Sequence, residues 1–273
     1  TDSKTNEPLP YANLVLLSKN RGVTTNELGM YEFAIHKDLK DSLLVSYIGY
    51  ASQKIALHQF KDSAIQDFNI ELTENSSLID EVVLEVKKQK YSATKTLGVK
   101  KKKRFVSGIQ YGSEVVSFIE NEKHKKGKIS QVDFFVKENS DSQFKTLPTY
   151  YRIKFYEFDA THKQPGKLLL HKDILLQPEN KTKKISIDVS TYNILYPVNG
   201  VCIGIETIKP SHITTPKTLW YTTTPSLVWV HGKKPISWTS FMGRKWSKEV
   251  RKSVFNKKFY TNPLIHLKVK YRK

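Results

Sequence analysis

Asn6-Glu7-Pro8-Leu9-Pro10-Tyr11-Ala12-Asn13-Leu14-Val15-Leu16, Gly22-Val23-Thr24-Thr25-Asn26-Glu27-Leu28-Gly29-Met30-Tyr31-Glu32-Phe33 and Leu43-Leu44-Val45-Ser46-Tyr47-Ile48-Gly49-Tyr50 share one pattern, a short apolar run bounded by turn residues. Pro8 and Pro10 exclude a helix and hold the chain extended ahead of Leu14 to Leu17. Asn20-Arg21-Gly22 supplies a turn, and Asn26-Glu27-Leu28-Gly29 a second one. Tyr31, Phe33 and Ile35 alternate with Glu32, Ala34 and His36, the period of a half-buried strand. Leu43 to Ile48 is a further apolar run closed by Gly49. Ile65, Phe68, Ile70 and Leu72 predict another strand, and Val82, Val83, Leu84 and Val86 a last one. Short strands at this spacing, with no 3.6-residue stripe, read as a β-sandwich over residues 1–86.

Beyond it, Lys87-Lys88-Gln89-Lys90-Tyr91 through Lys100 to Arg104 is basic and lacks apolar periodicity, and reads as an extended linker over 87–104. A second all-β module is expected over 105–273. Its strand signals are Val115 to Ile119, Ile129 to Val136, Tyr151 to Phe158, Leu168 to Leu170, Ile185 to Val189, Val201 to Ile208, Leu227 to Val230 and Leu264 to Tyr271. Gln164-Pro165-Gly166 and Tyr196-Pro197-Val198-Asn199-Gly200 are expected as turns. In the strand from Tyr151, Arg152 and Lys154 fall on the polar, solvent-facing side of the alternation. A weak helical period runs from Lys245 to Phe255. About eight strands suit a two-sheet, jelly-roll-like sandwich.

The chain has 273 residues, enough for two cores, and 38% of them are hydrophobic. No apolar run reaches the roughly 18 residues of a membrane-spanning helix. The single cysteine, Cys202, excludes an intrachain disulfide and lies in the apolar run Val201-Cys202-Ile203-Gly204-Ile205, where a packing role is expected. Charge is divided unevenly. Residues 1–84 carry 7 Lys/Arg against 12 Asp/Glu, whereas 85–273 carry 38 against 14. Such asymmetry predicts a basic patch that meets an anion.

The N-terminal blocks resemble the carboxypeptidase regulatory-like domain, a small transthyretin-like, Ig-like β-sandwich attached to many Gram-negative envelope proteins. The resemblance implies a strand ahead of Thr1, so the chain is expected to be trimmed from a longer precursor. It also implies a periplasmic location at the outer membrane, with an outer-membrane β-barrel protein or complex as partner. The layout Lys95-Thr96-Leu97-Gly98, Gly112-Ser113-Glu114, Tyr151-Arg152-Ile153-Lys154-Phe155-Tyr156 and Asp188 to Ile194 is similar to two-domain envelope proteins of that kind. No reaction comes with the resemblance.

Catalytic patterns are missing from the sequence. None of the histidines (36, 58, 124, 162, 171, 212, 231, 266) is followed three residues later by glutamate, as a zinc carboxypeptidase requires. There is no Gly-x-Ser-x-Gly elbow, no phosphate-cradling loop and no paired cysteines. His162 and His171 flank the Pro-Gly turn and could approach across a hairpin, but exposed polar histidines are the simpler reading. Glu157 and Asp159 share one strand face, as a glycosidase pair would, but acids on a solvent face explain them more simply. The expectation is a protein without enzymatic activity and without a cofactor.

The C-terminal segment interleaves Trp238, Phe241, Trp246, Phe255, Phe259 and Tyr260 with basic residues. The candidate anionic-surface residues are Lys100, Lys101, Lys102, Lys103 and Arg104 of the linker, with Lys233, Lys234, Arg244, Lys245, Trp246, Lys248, Arg251 and Lys252. Lysine and arginine beside anionic lipid or lipopolysaccharide contribute about 1 kcal/mol each, and aromatics settle at headgroup depth. A core-facing aromatic set under a solvated basic exterior is the competing explanation. Carbohydrate stacking on Trp220, Trp229, Trp238 or Trp246 is another, and nucleic acid is not expected because neither module resembles a nucleic-acid fold. The resulting expectation is a non-catalytic scaffold or interaction protein of an outer-membrane complex. A carbohydrate-binding accessory of the envelope is the alternative.

Overall fold

The computed structural model describes residues 1–34, 40–59, 67–75, 89–99, 104–138, 145–179, 181–216, 221–253 and 257–273. Among these there is no α-helix, and the short 3-10 turns lie at Leu57–Gln59 and Ser190–Tyr192. The protein is all-β. In the first domain β1 (Asn13–Leu16), β2 (Gly22–Thr24), β3 (Ser42–Ser46) and β4 (Gln53–Ala56) form one antiparallel sheet in the order β2-β1-β3-β4. Leu14 and Leu16 of β1, Leu43 and Val45 of β3 and Ile55 of β4 bury one face against Leu9, Ile70 and Leu72.

The second domain contributes β5 (Lys95–Gly98), β6 (Phe105–Ser107), β7 (Ser113–Ile119), β8 (Gly127–Lys137), β9 (Lys145–Pro148), β10 (Tyr150–Asp159), β11 (Gln164–Leu168), β12 (Leu175–Leu176) and β13 (Lys184–Asp188). It continues with β14 (Leu195–Tyr196), β15 (Val201–Ile208), β16 (Tyr221–Thr224), β17 (Ser226–Gly232), β18 (Ser237–Phe241), β19 (Ser247–Glu249), β20 (Tyr260–Pro263) and β21 (Ile265–Tyr271). One sheet runs β11-β10-β15-β7-β18-β19, the other β20-β17-β8-β21-β5. Their inner faces meet in a single core. Tyr151, Ile153 and Phe155 of β10 and Ile203 and Ile205 of β15 pack against Val132 and Phe134 of β8 and Leu267 and Val269 of β21. Phe134 meets Tyr151 edge-on at 5.4 Å, the favoured geometry for an aromatic pair.

Several predicted elements are corrected. Lys95–Gly98, inside the segment read as a linker, is an edge strand paired with β21, because Leu97 can reach the core while its neighbours stay at the rim. The neighbouring Tyr91 also bridges to Arg272. Pro165 and Gly166 do not form the turn. They sit in β11 with Pro165 opposite Phe158, and the chain reverses at 160–163, where Lys163 takes φ 53°. An edge strand tolerates proline because one side needs no N–H donor. The helical period from Lys245 gives the short strand β19 instead, paired with β18. Tyr31 to Ala34 lie outside any strand, although Tyr31 and Phe33 pack on the first core. In the predicted strand at 65–72, Leu72 makes only an isolated bridge to Asp2. Ile35 and His36, Ile65, Val82 to Val86 and Phe255 fall outside the described residues.

Candidate functional site

The sheet face of β10 that the sequence assigns to solvent is the best-built polar site among the described residues. Because Tyr151, Ile153 and Phe155 enter the core, Arg152, Lys154 and Tyr156 project from the opposite face. That face is covered by the first domain, and Arg152 and Lys154 are only 1% and 8% exposed. The register places Glu206 of β15 opposite both Arg152 and Glu114 of β7, so the charges converge across three neighbouring strands.

The first domain reaches this cluster through β1, which is buried along its length. Leu14 and Leu16 serve the first core, while Asn13 on the other face donates its amide to Glu206 Oε1 at 2.8 Å. Arg152 makes a two-point contact with Asp173, Nε to Oδ1 at 2.8 Å and Nη2 to Oδ2 at 3.0 Å, and donates to the carbonyl of Tyr11 at 3.1 Å. Its guanidinium lies 5.4 Å from the centre of the Tyr47 ring, and the Tyr47 hydroxyl donates to Asp173 at 3.2 Å. Lys154 Nζ bridges Glu114 and Glu206, 2.9 Å from each, and the Tyr156 hydroxyl donates to Glu114 Oε1 at 2.7 Å.

Glycine makes the convergence possible. A Cβ on Gly204 would stand 2.2 Å from Glu114 Oε1, so only glycine leaves room for that carboxylate beside β15. At the junction, Gly49 has φ 83° and its backbone abuts the carbonyl of His171, where a Cβ would come within 2.8 Å.

Burial sets the protonation of these groups. It pushes the Glu114 carboxyl above its ordinary range against the pull of Lys154, and Glu206 adds to the push. Burial also opposes ionisation of Glu206, but Lys154 and Arg152 outweigh it and hold that carboxyl down. Lys154 stays charged in the same way, because Glu114 and Glu206 overcome its desolvation. Uncompensated charge at this depth would cost several kcal/mol, and here each charged group faces an opposite charge. Chemically, the cluster can share a proton between Glu114 and its neighbours Lys154 and Tyr156. A cleft of about 310 Å³ adjoins it, with Ser46, Ser240, Arg244 and Trp246 in its walls.

The predicted surface residues divide into three groups. Lys100, Lys101, Lys102 and Lys103 lie outside the described residues, and Arg104 is exposed. Arg244 belongs to the junction instead, donating to the Lys19 carbonyl at 3.2 Å and to Asn20 Oδ1. Trp246 packs edge-on against Tyr156 at 5.5 Å. Lys233, Lys234, Lys245, Lys248, Arg251 and Lys252 are exposed, with Lys234 3.7 Å from Glu120 and Lys248 over the Trp238 ring at 5.1 Å.

Other candidates resolve individually. Trp229 is a core residue stacked on Phe105, and its indole donates to the Ser107 carbonyl. Trp220 lies outside the described residues. His162 pairs with Asp159 at 2.6 Å and His171 sits at the domain junction, so the two histidines do not meet. Burial pushes the Cys202 thiol up, and the side chain packs with Val116 and Tyr156. Among the described residues no group of three or more His, Cys, Asp or Glu side chains is arranged to hold a metal ion.

Sequence reasoning missed the whole buried cluster. Its signals were an interior glycine and a glutamate inside Val201-Cys202-Ile203-Gly204-Ile205-Glu206-Thr207-Ile208, a strand otherwise apolar enough to be buried on both faces. No curated protein and no solved structure matches the chain. Residues 1–84 match the family model of the CarboxypepD_reg-like domain, and the first sandwich is a domain of that kind.

Proposed function

We propose that the chain is a non-catalytic interaction protein of the Gram-negative cell envelope, held at the periplasmic side of the outer membrane beside an outer-membrane barrel complex. The observation that carries this reading is the junction. Arg152, Lys154, Glu206 and Glu114 are turned toward each other and toward Asn13 and Tyr11 of the first domain. A cluster whose charges are paired among themselves suits a structural weld between a net acidic sandwich and a strongly basic one. The exposed cations Lys233, Lys245, Lys248, Arg251 and Lys252 are then available to an anionic surface such as lipid or lipopolysaccharide. The proposed location and class of partner lean on the resemblance of the first domain to envelope proteins.

Affinity purification of the full chain from detergent-solubilised outer membrane tests this reading. Co-purification of a barrel protein is the expected result. Turnover in a peptidase and glycosidase screen, abolished by Glu114→Gln, would refute the non-catalytic assignment.

A second reading, carbohydrate binding, is favoured by one observation. On the face of β7, β10 and β18 beside the junction, Phe118 and Phe158 stack at 4.1 Å, with Trp238 6.1 Å from Phe158 and Trp246 in the same cluster. Phe118, Phe158 and Trp246 are half-buried and offer ring surface on which a sugar could stack, while Trp238 lies buried beneath them. Retention on immobilised envelope glycan, lost in Trp246→Ala, is the corresponding test.

A further inference from the structure

A cavity of about 750 Å³ opens between the two sheets of the second sandwich at the edge strand β5. Its volume falls within the range of small-ligand sites, roughly 300–1,000 Å³. Five elements build it: β5, the end of β7 with the turn after it, the turn from β17 to β18, β20 and β21. Leu97, Phe118, Ile119 and Ile236 give it an apolar floor.

Its rim is cationic. Lys95 and Lys123 come within hydrogen-bonding range of each other, and this contact draws the Lys123 pKa down. The Lys123 ammonium also lies 5.1 Å from the centre of the Tyr271 ring. Lys233 and Lys234 stand on the opposite wall. Lys234 has Glu120 at 3.7 Å, and Glu122 also lines the cavity. Among the described residues no carboxylate forms an ion pair with Lys95, Lys123 or Lys233. Four lysines face two glutamates, and the amines of Lys95 and Lys123 stand close enough that either loss of a proton or an anion between them relieves their repulsion. A phosphate monoester suits that pair best, because it carries about −1.5 to −2 charge near neutral pH and lysine binds phosphate as a point charge.

We propose that this groove binds a phosphate monoester carried on an apolar or ring-bearing body, with Lys95 and Lys123 on the phosphate and Leu97, Phe118 and Ile236 under the remainder. The proposal rests on the reading that the second sandwich meets an anion, and it narrows that contact to one concave site. Two sources share the chemistry, a lipid headgroup and a sugar phosphate.

Calorimetric titration of the full chain with dodecyl phosphate, and separately with glucose 1-phosphate, tests the proposal. Saturable binding of at least one probe at one site is expected. The Lys95→Ala/Lys123→Ala double variant should lose at least ten-fold in affinity, while Lys167→Ala, on the distant strand β11, should match the parent. Preference for dodecyl phosphate assigns a lipid headgroup, and preference for glucose 1-phosphate a sugar phosphate. No binding of either probe, or equal affinity in the double variant with an unchanged circular dichroism melt, overturns the site. Flotation with phosphatidylglycerol vesicles separates the two readings. Vesicle binding without probe binding refutes the groove and keeps the broader surface contact, whereas probe binding without vesicle binding does the reverse.

Discussion

Asn13 donates its side-chain amide to Glu206 at 2.8 Å, joining positions 193 residues apart and tying the inner strand β1 of one domain to the central strand β15 of the other. The bond joins an ion cluster whose charged members all come from the second domain, beside the Tyr11 carbonyl and the Tyr47 hydroxyl of the first. Removing a member therefore acts on the junction and on the interior at once.

Arg152→Met keeps much of the side-chain length but leaves Asp173 and Glu206 short of a cation. Breaking a buried pair on one side costs about 3–5 kcal/mol, and that loss is expected in urea unfolding. Adding Glu206→Gln should return part of it. Asn13→Ala is expected to cost about 1–3 kcal/mol, with faster proteolysis between the domains.

Gly204→Ala would ordinarily favour a strand slightly. Here the new methyl stands 2.2 Å from Glu114 Oε1 and 3.1 Å from the Tyr156 ring. A destabilisation of about 1–3 kcal/mol is expected from overpacking. Glu114→Ala in the same chain should relieve the clash, and the comparison of the two unfolding curves checks it.

Tyr47 gives the junction a pH dependence on the alkaline side. Burial, aided by the nearby Asp173 carboxylate, raises its phenol from 10.0 to about 12. The protonated phenol is thus the form that the folded state favours. Its contribution is intact below about pH 10, the unfolded value, and is lost as pH rises through 12. Absorbance titration of the parent against Tyr47→Phe should show one fewer late-ionising tyrosine, and the variant should lack that part of the alkaline loss of stability.

The domain boundary can be tested with fragments. A chain starting at Gln89 keeps β5 paired with β21, while one starting at Phe105 leaves the edge of β21 open. The longer fragment is expected to melt at the higher temperature and to aggregate less, as seen by light scattering.

Arg244 and Lys248 should separate in their effects, although both belong to one basic segment. Arg244→Ala removes contacts to Lys19 and Asn20, so it should loosen the junction under proteolysis. Lys248→Ala combined with Arg251→Ala and Lys252→Ala should leave the melt unchanged and weaken vesicle binding, most visibly at low salt.

The all-β class was legible because the fold rests on periodicity and turns. Leu14, Leu16, Leu43 and Val45 declare the first core, and Ile153, Phe155, Ile203 and Ile205 the second. Lys95 to Gly98 were unreadable as a strand, since one inward leucine among polar residues gives no period to detect. The buried cluster was hidden for a related reason. Alternation shows that Arg152 and Lys154 leave the core, but it cannot say whether water or another domain lies beyond them.

The position of β21 has a consequence for how the protein comes into being. It lies between β8 and β5, and Ser130 of β8 bonds to Lys268 across 138 residues of chain. The second sheet therefore has an empty lane until residue 271 has been synthesised, and the hydrophobic faces of β8 stay open on the ribosome. With so many of its pairings distant in sequence, that sheet is expected to be the slow one to form, closing only once the last lane is filled.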